Sequence, residues 1–475
     1  MAHDYAEGLP IAPLLPEVVA SLDEQPNLVL EAPPGAGKTT TVPLALLRDA
    51  SWLGDGLIIV LEPRRVAARG AAARMASLLG QQLGAEVGYR VRYEGKSGRD
   101  TRVLVVTEGV LIRRLQSDPT LDGVAAVVFD EFHERSVDAD LALALCREAQ
   151  REIRPDLRLV VMSATLGDAL APAVAALLGG CPTLTSEGRC FPVGVKHVGA
   201  RPLAMAATGR PREVEEEVAA AVLSVLREVA SGDVLVFLPG EREIRGVEAR
   251  IAEALPAARR AELRVCPLYG ALPFEQQQAA IAPDGEGKRR VVLSTNLAES
   301  SLTIEGVRVV VDSGLRRTSQ YDAAVGMSAL VTRPISAAAA EQRTGRAGRV
   351  APGTSYRLWS ETEQRSLTPQ EEPSIAQADL APLLLQLGGW GSGVSDDEVN
   401  ALPWLTPPPA ASLARARELL CSVGAIDATT TTAATTLAIT AHGAALARLP
   451  AHPRLGHALL RALAAGGGDG AALRV

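Results

Sequence analysis

Residues 27–39 read N-L-V-L-E-A-P-P-G-A-G-K-T, an apolar run followed by a loop of small residues, a lysine and a threonine. Its first five residues form the kind of apolar run that is typical of a buried β-strand. The next eight follow the pattern G-x-x-x-x-G-K-[ST], except that Ala32 stands where glycine is usual. A residue as small as alanine still permits the tight turn. The stretch therefore predicts a strand, a loop and a helix in succession, with the loop shaped to hold phosphate groups.

The chemistry of this loop depends on a few residue types. Backbone N–H groups of the loop and of the following helix would surround phosphate oxygens. Lys38 would reach the outer phosphates, and the Thr39 hydroxyl would hold Mg²⁺. The alternative is a Gly/Pro turn with a surface lysine, but only four of the 48 cationic residues are lysine. The residues predicted to bind nucleotide in this loop are Pro34, Gly35, Ala36, Gly37, Lys38, Thr39 and Thr40.

A second stretch, V-V-F-D-E-F-H-E-R-S at residues 127–136, places an acidic pair after an apolar run. A phosphate-loop NTPase needs such a pair at the end of a neighbouring parallel strand. Asp130 is predicted to bind Mg²⁺ through water, beside Thr39 and Glu131, and Glu131 to activate the attacking water as general base. One histidine without cysteine is too small a ligand set for zinc. His133 is therefore predicted to couple this site to another domain.

Composition restricts the class of protein. The 475 residues are 47% hydrophobic and carry a net charge of −7, so a chain that coats DNA through overall positive charge is excluded. The five cysteines form no C-x-x-C pair, which fits free thiols in a reducing cytosol. No apolar run approaches the ~18–20 residues of a membrane span. We therefore expect a soluble cytoplasmic protein of two to four domains.

Short apolar runs alternate with helical stretches over most of the chain, which predicts an α/β fold with parallel sheets. The alternation restarts near residue 187, so two tandem domains are expected, joined by a crossover at Gly188–Val198. The strands predicted for the first domain are Asn27–Glu31, Leu57–Leu61, Val103–Thr107, Ala125–Phe129 and Arg158–Met162. Those predicted for the second are Val234–Phe237, Arg264–Leu268, Val291–Ser294, Val307–Asp312 and Ser355–Leu358.

The sequence pattern changes after about Ser360, where prolines separate shorter predicted helices. Ser412–Gly424 is predicted to be an amphipathic helix that ends at a glycine cap. Ala428–Thr436 is rich in threonine, which disfavours a helix and indicates a loop or wing tip. A further helical unit opens at Thr440. We expect it to be the start of a truncated domain.

Further segments occur in a fixed order along the chain, and together they resemble the DEAH-box branch of superfamily 2 helicases. They are P-R-R-V-A-A at 63–68, T-E-G-V-L at 107–111, S-A-T at 163–165, S-T-N-L-A-E-S-S-L-T-I at 294–304 and Q-R-T-G-R-A-G-R at 342–349. The D-E-F-H spelling and A-H-G-A-A-L-A-R-L-P-A-H-P-R-L at 441–455 are similar to the bacterial HrpB group.

The resemblance implies two RecA-like domains, a winged helix and a helical ratchet-like domain. The boundaries expected are 1–186 for the ATP-binding domain, 187–362 for the second RecA-like domain, 363–436 for the winged helix and 437–475 for the start of the ratchet-like domain. ATP would lie in the cleft between the RecA-like domains, and single-stranded nucleic acid would cross both. A β-hairpin within Leu302–Pro334 is also implied.

The resemblance also implies roles for individual residues. Gln342, Arg346 and Arg349 would contact the γ-phosphate and the catalytic water from the second domain, and the two arginines would also bind nucleotide. The Mg²⁺ site would be coupled to the cleft by Ser163, Thr165 and Thr303, together with His133. Nucleic acid would be bound by Arg64, Arg65, Thr107, Gly109, Thr295 and Asn296.

The sequence thus predicts an ATP-dependent RNA helicase or translocase that moves 3′→5′ along single-stranded nucleic acid, with RNA favoured over DNA. The cofactors expected are ATP and Mg²⁺. Other NTPs are also expected as substrates, because Leu315 stands where related helicases tend to have an aromatic residue that stacks on the base. Two alternatives stay open: an RNA-stimulated ATPase that remodels protein–RNA complexes without processive unwinding, and a non-enzymatic nucleic-acid scaffold.

Overall fold

The computed structural model describes residues 4–164, 166–187, 191–199, 201–299, 302–322, 325–391, 393–430 and 435–465. Over these ranges the chain forms two parallel sheets flanked by helices, followed by a smaller helical region with a β-hairpin. The α/β fold with two RecA-like domains is confirmed. No helix in the described ranges has both the length and the apolar character that crossing a membrane requires.

The first sheet has eight strands in the order β4-β3-β5-β2-β6-β7-β1-β8. Only the β3–β4 pair is antiparallel. Its strands are β1 Asn27–Glu31, β2 Leu57–Glu62, β3 Val87–Val91, β4 Glu94–Lys96, β5 Val103–Thr107, β6 Val124–Phe129, β7 Arg158–Ser163 and β8 Thr183–Thr185. Its helices are α1 Leu15–Glu24, α2 Lys38–Asp49, α3 Arg65–Leu78, α4 Glu108–Ser117, α5 Val137–Glu152 and α6 Gly167–Leu177.

Both faces of this sheet are covered, which explains why its strands are continuous apolar runs rather than alternating ones. Along β1, Leu28 and Leu30 belong to one apolar cluster and Val29 to the cluster on the opposite face. All five strands that the sequence predicts are present. Strands β3, β4 and β8 were not predicted because they are short or interrupted by charged residues.

The second sheet has six parallel strands in the order β11-β12-β10-β13-β16-β9. They are β9 Val193–His197, β10 Asp233–Phe237, β11 Leu263–Leu268, β12 Arg289–Ser294, β13 Val307–Asp312 and β16 Gly353–Arg357. A separate antiparallel hairpin joins β14 Leu315–Asp322 to β15 Met327–Pro334, where the sequence resemblance implies one. The helices are α7 Leu203–Thr208, α8 Pro211–Glu228, α9 Glu241–Ala254, α10 Ala257–Glu262, α11 Phe274–Ile281, α12 Ala337–Gly345 and α13 Glu361–Ser366.

The crossover predicted at Gly188–Val198 is wrong in part, because residues 193–197 form β9 at the edge of the second sheet. β9 was missed because it is mostly exposed and short of large apolar residues. Residues 188–190 lie outside the described ranges. The last strand of the first sheet ends at Thr185, and β9 begins at Val193.

The third region packs on the first domain. Its elements are α14 Ala381–Trp390, α15 Asp396–Ala401, α16 Ala410–Ser422, β17 Ile426–Thr430, β18 Thr435–Ile439, α17 Ala441–Arg448 and α18 Pro453–Ala465. Leu384 and Leu387 of α14 share one apolar cluster with Leu111 and Leu115 of α4. Polar contacts add to this packing, since the Trp390 indole N–H donates to Glu148 at 2.8 Å. The region is therefore attached to the first domain by a continuous core.

The threonine-rich segment is only partly the loop that the sequence predicts. Residues 426–430 and 435–439 pair as antiparallel strands, and 431–434 lie outside the described ranges. Threonine is β-branched and suits a strand as well as it disfavours a helix. Strand β18 also crosses the boundary expected between residues 436 and 437. The predicted helix is confirmed as α16, and Gly424 behind it takes a left-handed φ of 67°.

Candidate active site between two domains

The phosphate loop lies at the carboxyl end of β1. Gly35 and Gly37 have φ angles of 86° and 97°, a conformation that glycine adopts without strain. Helix α2 begins directly at Lys38, so the free backbone N–H groups of its first turn point toward the loop. The N-terminal segment supports the loop from behind, because the Ile11 N–H donates to the Ala36 carbonyl at 3.2 Å. The backbone of the loop thus has the shape of an anion-binding site.

The acidic pair lies beside this loop, as predicted. The Asp130 N–H donates to the Leu61 carbonyl, which fixes the end of β6 against β2. Lys38 Nζ is 2.8 Å from Glu131 Oε1 and 3.6 Å from Asp130 Oδ1. The Thr39 hydroxyl donates to Asp130 Oδ2. Four side chains from two distant segments of the chain therefore meet in one buried cluster.

The charges in this cluster shift its proton affinities. Burial by itself would raise the pKa of Glu131, but Lys38, His133 and Arg346 lower that pKa to about 2. Burial also opposes the charge on Lys38, yet Asp130 and Glu131 raise the pKa of Lys38 above its ordinary value. Glu131 is therefore ionised at neutral pH and Lys38 is protonated. Among the described residues, none forms a hydrogen bond with the buried Glu131 Oε2, so this oxygen can accept a bond from water.

Glu62 is a site residue that the sequence analysis missed. It ends β2 beside Asp130, is completely buried, and neither of its oxygens accepts a hydrogen bond from a residue in the described ranges. Burial, followed by the charges of Asp130 and Glu131, raises the pKa of Glu62 well above its ordinary value. The local signal was present in the sequence, since an acid ends an apolar strand there as it does after β6.

His133 contacts the segment that the sequence analysis assigned to coupling. Its Nδ1 lies 3.1 Å from the Ser163 hydroxyl at the end of β7 and 3.5 Å from Glu131 Oε2. It therefore connects the acidic pair to β7 within the first domain, and its predicted coupling to the second domain stays a prediction. Thr165 lies outside the described residues.

The second domain contributes arginines to the same cleft. Arg346 is buried, and its guanidinium donates to the backbone carbonyls of Glu299 and Leu302. Its charge is close enough to lower the pKa of Glu131 across the cleft. Arg349 lies against the phosphate loop, because a β-carbon built on Gly35 would be 3.8 Å from its Cδ and Nε atoms. Arg349 Nη1 also donates to the Thr303 hydroxyl at 3.1 Å.

The remaining member of the predicted trio, Gln342, lies half-buried on α12, one turn before Arg346. Between them, Arg343 is fully buried and 2.8 Å from both Glu299 and Asp312. Its Cζ lies 4.8 Å from the centre of the Phe237 ring. Arg343 thus fixes the orientation of α12. The sequence analysis missed it because no local pattern links residues 299, 312 and 343.

The residues predicted to bind nucleic acid lie at the ends of strands and the starts of helices. Arg64 is paired with Glu134, with Nη2 3.2 Å from both carboxylate oxygens. Arg65 and Gly109 are exposed, Thr107 is half-buried, and Thr295 caps the short 3-10 helix Asn296–Ala298. Arg65 is therefore the better placed of the two neighbouring arginines for an incoming phosphate. Leu315 is only 1% exposed, so it offers no surface to a nucleotide base.

Two RecA-like sheets, with a phosphate loop in one and an arginine of the other lying against it, form the architecture that is typical of phosphate-loop NTPases. The sequence profile described as "DEAD/DEAH box helicase" matches residues 15–172, and the "Helicase conserved C-terminal domain" matches residues 217–351. The chain thus carries both of these helicase domains, and the predicted resemblance to DEAH-box helicases is confirmed.

Individual relatives agree with this family. The chain is 42% identical over 455 residues to "ATP-dependent RNA helicase HrpB" of Escherichia coli K12, which covers 96% of this chain and 52% of that protein. It is 36% identical to "Probable ATP-dependent RNA helicase DHR2" of Saccharomyces cerevisiae, covering 96% of this chain and 60% of that one. A crystal structure of the Escherichia coli DEAH/RHA helicase HrpB superposes with a TM-score of 0.83, covering 95% of this chain and 54% of that one. The chain thus spans about half the length of these relatives.

Proposed function

We propose that this chain is an ATP-dependent motor that moves along single-stranded RNA, in the 3′→5′ direction, as a helicase or translocase. The observation that carries the proposal is the meeting of two domains at one site. The first domain supplies the phosphate loop and Glu131, and the second supplies Arg346 and Arg349. Hydrolysis then depends on how the domains are arranged, which is what a motor needs to convert chemistry into movement.

The residues of the first domain fit a nucleotide triphosphate with Mg²⁺. A hydroxyl and two carboxylates are hard oxygen donors of the kind that Mg²⁺ prefers. Thr39 and Asp130 would hold the ion, Asp130 through water, with Glu131 beside them. When bound, the ion supplies neutralisation of the charge on the β- and γ-phosphates. Lys38 exchanges its bond to Glu131 for one to a phosphate, and Glu131 is then free to orient the attacking water and take its proton.

The second domain stabilises the reaction rather than starting it. Phosphoryl transfer spreads negative charge over the γ-oxygens, and a positioned arginine is worth about 10³–10⁵ in rate where it has been measured. Arg349 lies against the loop, where that charge would develop, and the charge of Arg346 acts on Glu131 across the cleft. Gln342 would be the third residue of the second domain at the site, where it would contact the catalytic water. Coupling to the cleft would pass through Ser163, Thr165, Thr303 and His133.

RNA is favoured because the relatives carry the printed name "RNA helicase". The protein would bind RNA through contacts to the sugar–phosphate backbone, and such contacts do not depend on base sequence. With no aromatic residue at position 315, the site would accept bases other than adenine. The described free cysteines, three of them buried, fit a reducing compartment, so we place the protein in the bacterial cytoplasm.

The test is ATP hydrolysis measured without nucleic acid, with single-stranded RNA, and with single-stranded DNA of the same length, at two salt concentrations. Stimulation by RNA alone is the expected result. Equal stimulation by both would retain the motor and contradict the preference for RNA. Hydrolysis that responds to neither would contradict the motor, and no hydrolysis under any condition would favour a scaffold. Stimulation without strand separation would favour a remodelling ATPase.

A further inference from the structure

Helix α3 of the first domain reaches into the second domain. The guanidinium carbon of Arg69 lies 3.4 Å from the centre of the Phe274 ring, at the start of α11. This is close face-on contact between a planar cation and an aromatic ring. Neither residue belongs to the nucleotide site or to the segments predicted to bind nucleic acid.

Arg69 is held in this orientation by its own domain. Its Nη2 lies 2.8 Å from Glu94 Oε1, and the Tyr89 hydroxyl donates to the same carboxylate oxygen. The guanidinium carbon is also 5.6 Å from the centre of the Tyr89 ring. The side chain is 23% exposed, so it is shielded from water without being sealed from it. The cation is thus oriented by partners that do not depend on Phe274.

Apolar packing lies beside this contact. Val66 and Ala67, one turn earlier on α3, are buried in a cluster whose other members belong to the second domain. Among those members are Leu297 and Leu302, from the segment that caps Arg346. One side of α3 is therefore part of the second domain's core, while its first residue is Arg65.

We propose that Arg69 and Phe274 form an interdomain positioning contact that holds the two RecA-like domains in the arrangement that brings Arg349 to the phosphate loop at Gly35. The proposal rests on the motor function proposed above. It adds a route by which RNA binding could be coupled to domain arrangement. Helix α3 begins at Arg65, a predicted nucleic-acid contact, and carries Arg69, the interdomain contact, one turn later. Movement of α3 when RNA binds would then be transmitted to α11.

The experiment measures domain arrangement directly, by single-molecule FRET between dyes on cysteines introduced at the exposed positions Glu24 and Glu253. The background carries Cys190→Ser and Cys421→Ser. The first variant, Phe274→Leu, keeps an apolar side chain in the second domain but removes the aromatic ring. The second variant, Arg69→Gln, removes the cation in the first domain. Tyr93→Leu is the matched control, since Tyr93 stacks on Arg92 at 5.0 Å within the first domain and is 76% exposed.

Each variant is expected to lower the ratio of compact to open molecules about 2- to 10-fold, the range for one partly exposed cation–π contact. The double variant is expected to lower it no further than the stronger single one, because both remove the same contact. Circular dichroism checks that every variant is folded. An unchanged FRET distribution in both single variants, or fully additive effects, would overturn the proposal.

The same samples separate this proposal from the motor function. FRET requires no hydrolysis, so a shift in Phe274→Leu with no ATPase activity in the parent chain would support the contact and contradict the motor. ATPase activity stimulated by RNA, with a FRET distribution that neither variant changes, would support the motor and contradict the contact. If the chain has both the motor function and the interdomain contact, Phe274→Leu and Arg69→Gln are expected to raise KM for ATP. Tyr93→Leu is expected to leave KM unchanged.

Discussion

Lys38 and Glu131 form a buried ion pair, with Nζ 2.8 Å from Oε1, although they lie 93 residues apart. The lysine that would bind phosphate thus neutralises the acid that would activate water. While the pair persists, the low pKa of Glu131 makes it a weak base. Binding of a triphosphate would break the pair, so the same event delivers the substrate and releases the base.

Glu131→Gln is expected to abolish turnover while sparing ATP binding. The amide can hold water but cannot take its proton, and general-base loss typically costs about 10²–10⁴ in rate. Lys38 also loses its competing partner, so affinity for ATP should stay equal or rise. Single-turnover hydrolysis and titration with a fluorescent nucleotide measure the two effects. Glu253→Gln, at an exposed position on α9, is the control. Turnover unchanged by Glu131→Gln would refute the assigned base.

Arg349→Ala is expected to lower ATP turnover by about 10³-fold or more, because the side chain faces the loop where γ-phosphate charge develops. Arg349→Lys should recover only part of this loss, since an ammonium cannot form a bidentate contact. Steady-state kinetics with RNA present provide the measurement. The control Arg212→Ala removes an arginine that is 79% exposed and pairs with Glu216 of its own helix. If Arg349→Ala and the control behaved alike, Arg349 would have no part in the chemistry.

Arg65→Ala is expected to weaken binding of single-stranded RNA of every sequence and to reduce its salt dependence. Loss of one phosphate contact should lower the slope of log affinity against log salt by about 0.7. Fluorescence anisotropy at four salt concentrations measures the slope. Arg64→Ala should have a smaller effect on it, because Glu134 already neutralises Arg64. If Arg65→Ala left the slope of log affinity against log salt unchanged, Arg65 would not be an RNA-phosphate contact.

Glu108→Gln is expected to make stability less dependent on pH. Burial raises the pKa of Glu108 to about 8, although the Ser136 hydroxyl, which donates to it at 2.7 Å, opposes the shift. The folded chain therefore keeps a proton that the unfolded chain releases above its ordinary pKa of 4.5. The free energy of unfolding should fall as pH rises from about 5 to 8, by at most about 1.4 kcal/mol per unit. Urea unfolding at pH 5, 6.5 and 8 would show this fall, and equal falls in both chains would contradict it.

Arg343→Met is expected to destabilise the second domain by about 3–5 kcal/mol, because Asp312 and Glu299 lose their buried partner. The melting temperature should fall by roughly 6–20 °C for a domain of this size. Adding Asp312→Asn should restore part of the loss, as it removes the stranded charge. Differential scanning calorimetry measures both variants. A fall below 2 °C in Arg343→Met would show that the pairs contribute little.

What the sequence could predict depends on how far apart the cooperating residues lie. The phosphate loop and the acidic pair are contiguous patterns at the ends of apolar strands, so Lys38, Thr39, Asp130 and Glu131 could be assigned to one cluster before the fold was known. Arg343 gave no such signal, because Asp312 lies 31 residues before it. The contact between Arg69 and Phe274 joins two helices of different domains. Such pairs depend on topology, and no single segment encodes them.

The first domain and the third region share one apolar core, so a cut between them would expose part of that core to water. A fragment that stops near residue 186 would retain the whole phosphate loop and acidic cluster. It would also expose to water the sides of α4 and α5 that α14 now covers, and an apolar patch of that kind favours aggregation. Expression of the ATP-binding half should therefore include residues 370–450, supplied in trans if not on the same polypeptide.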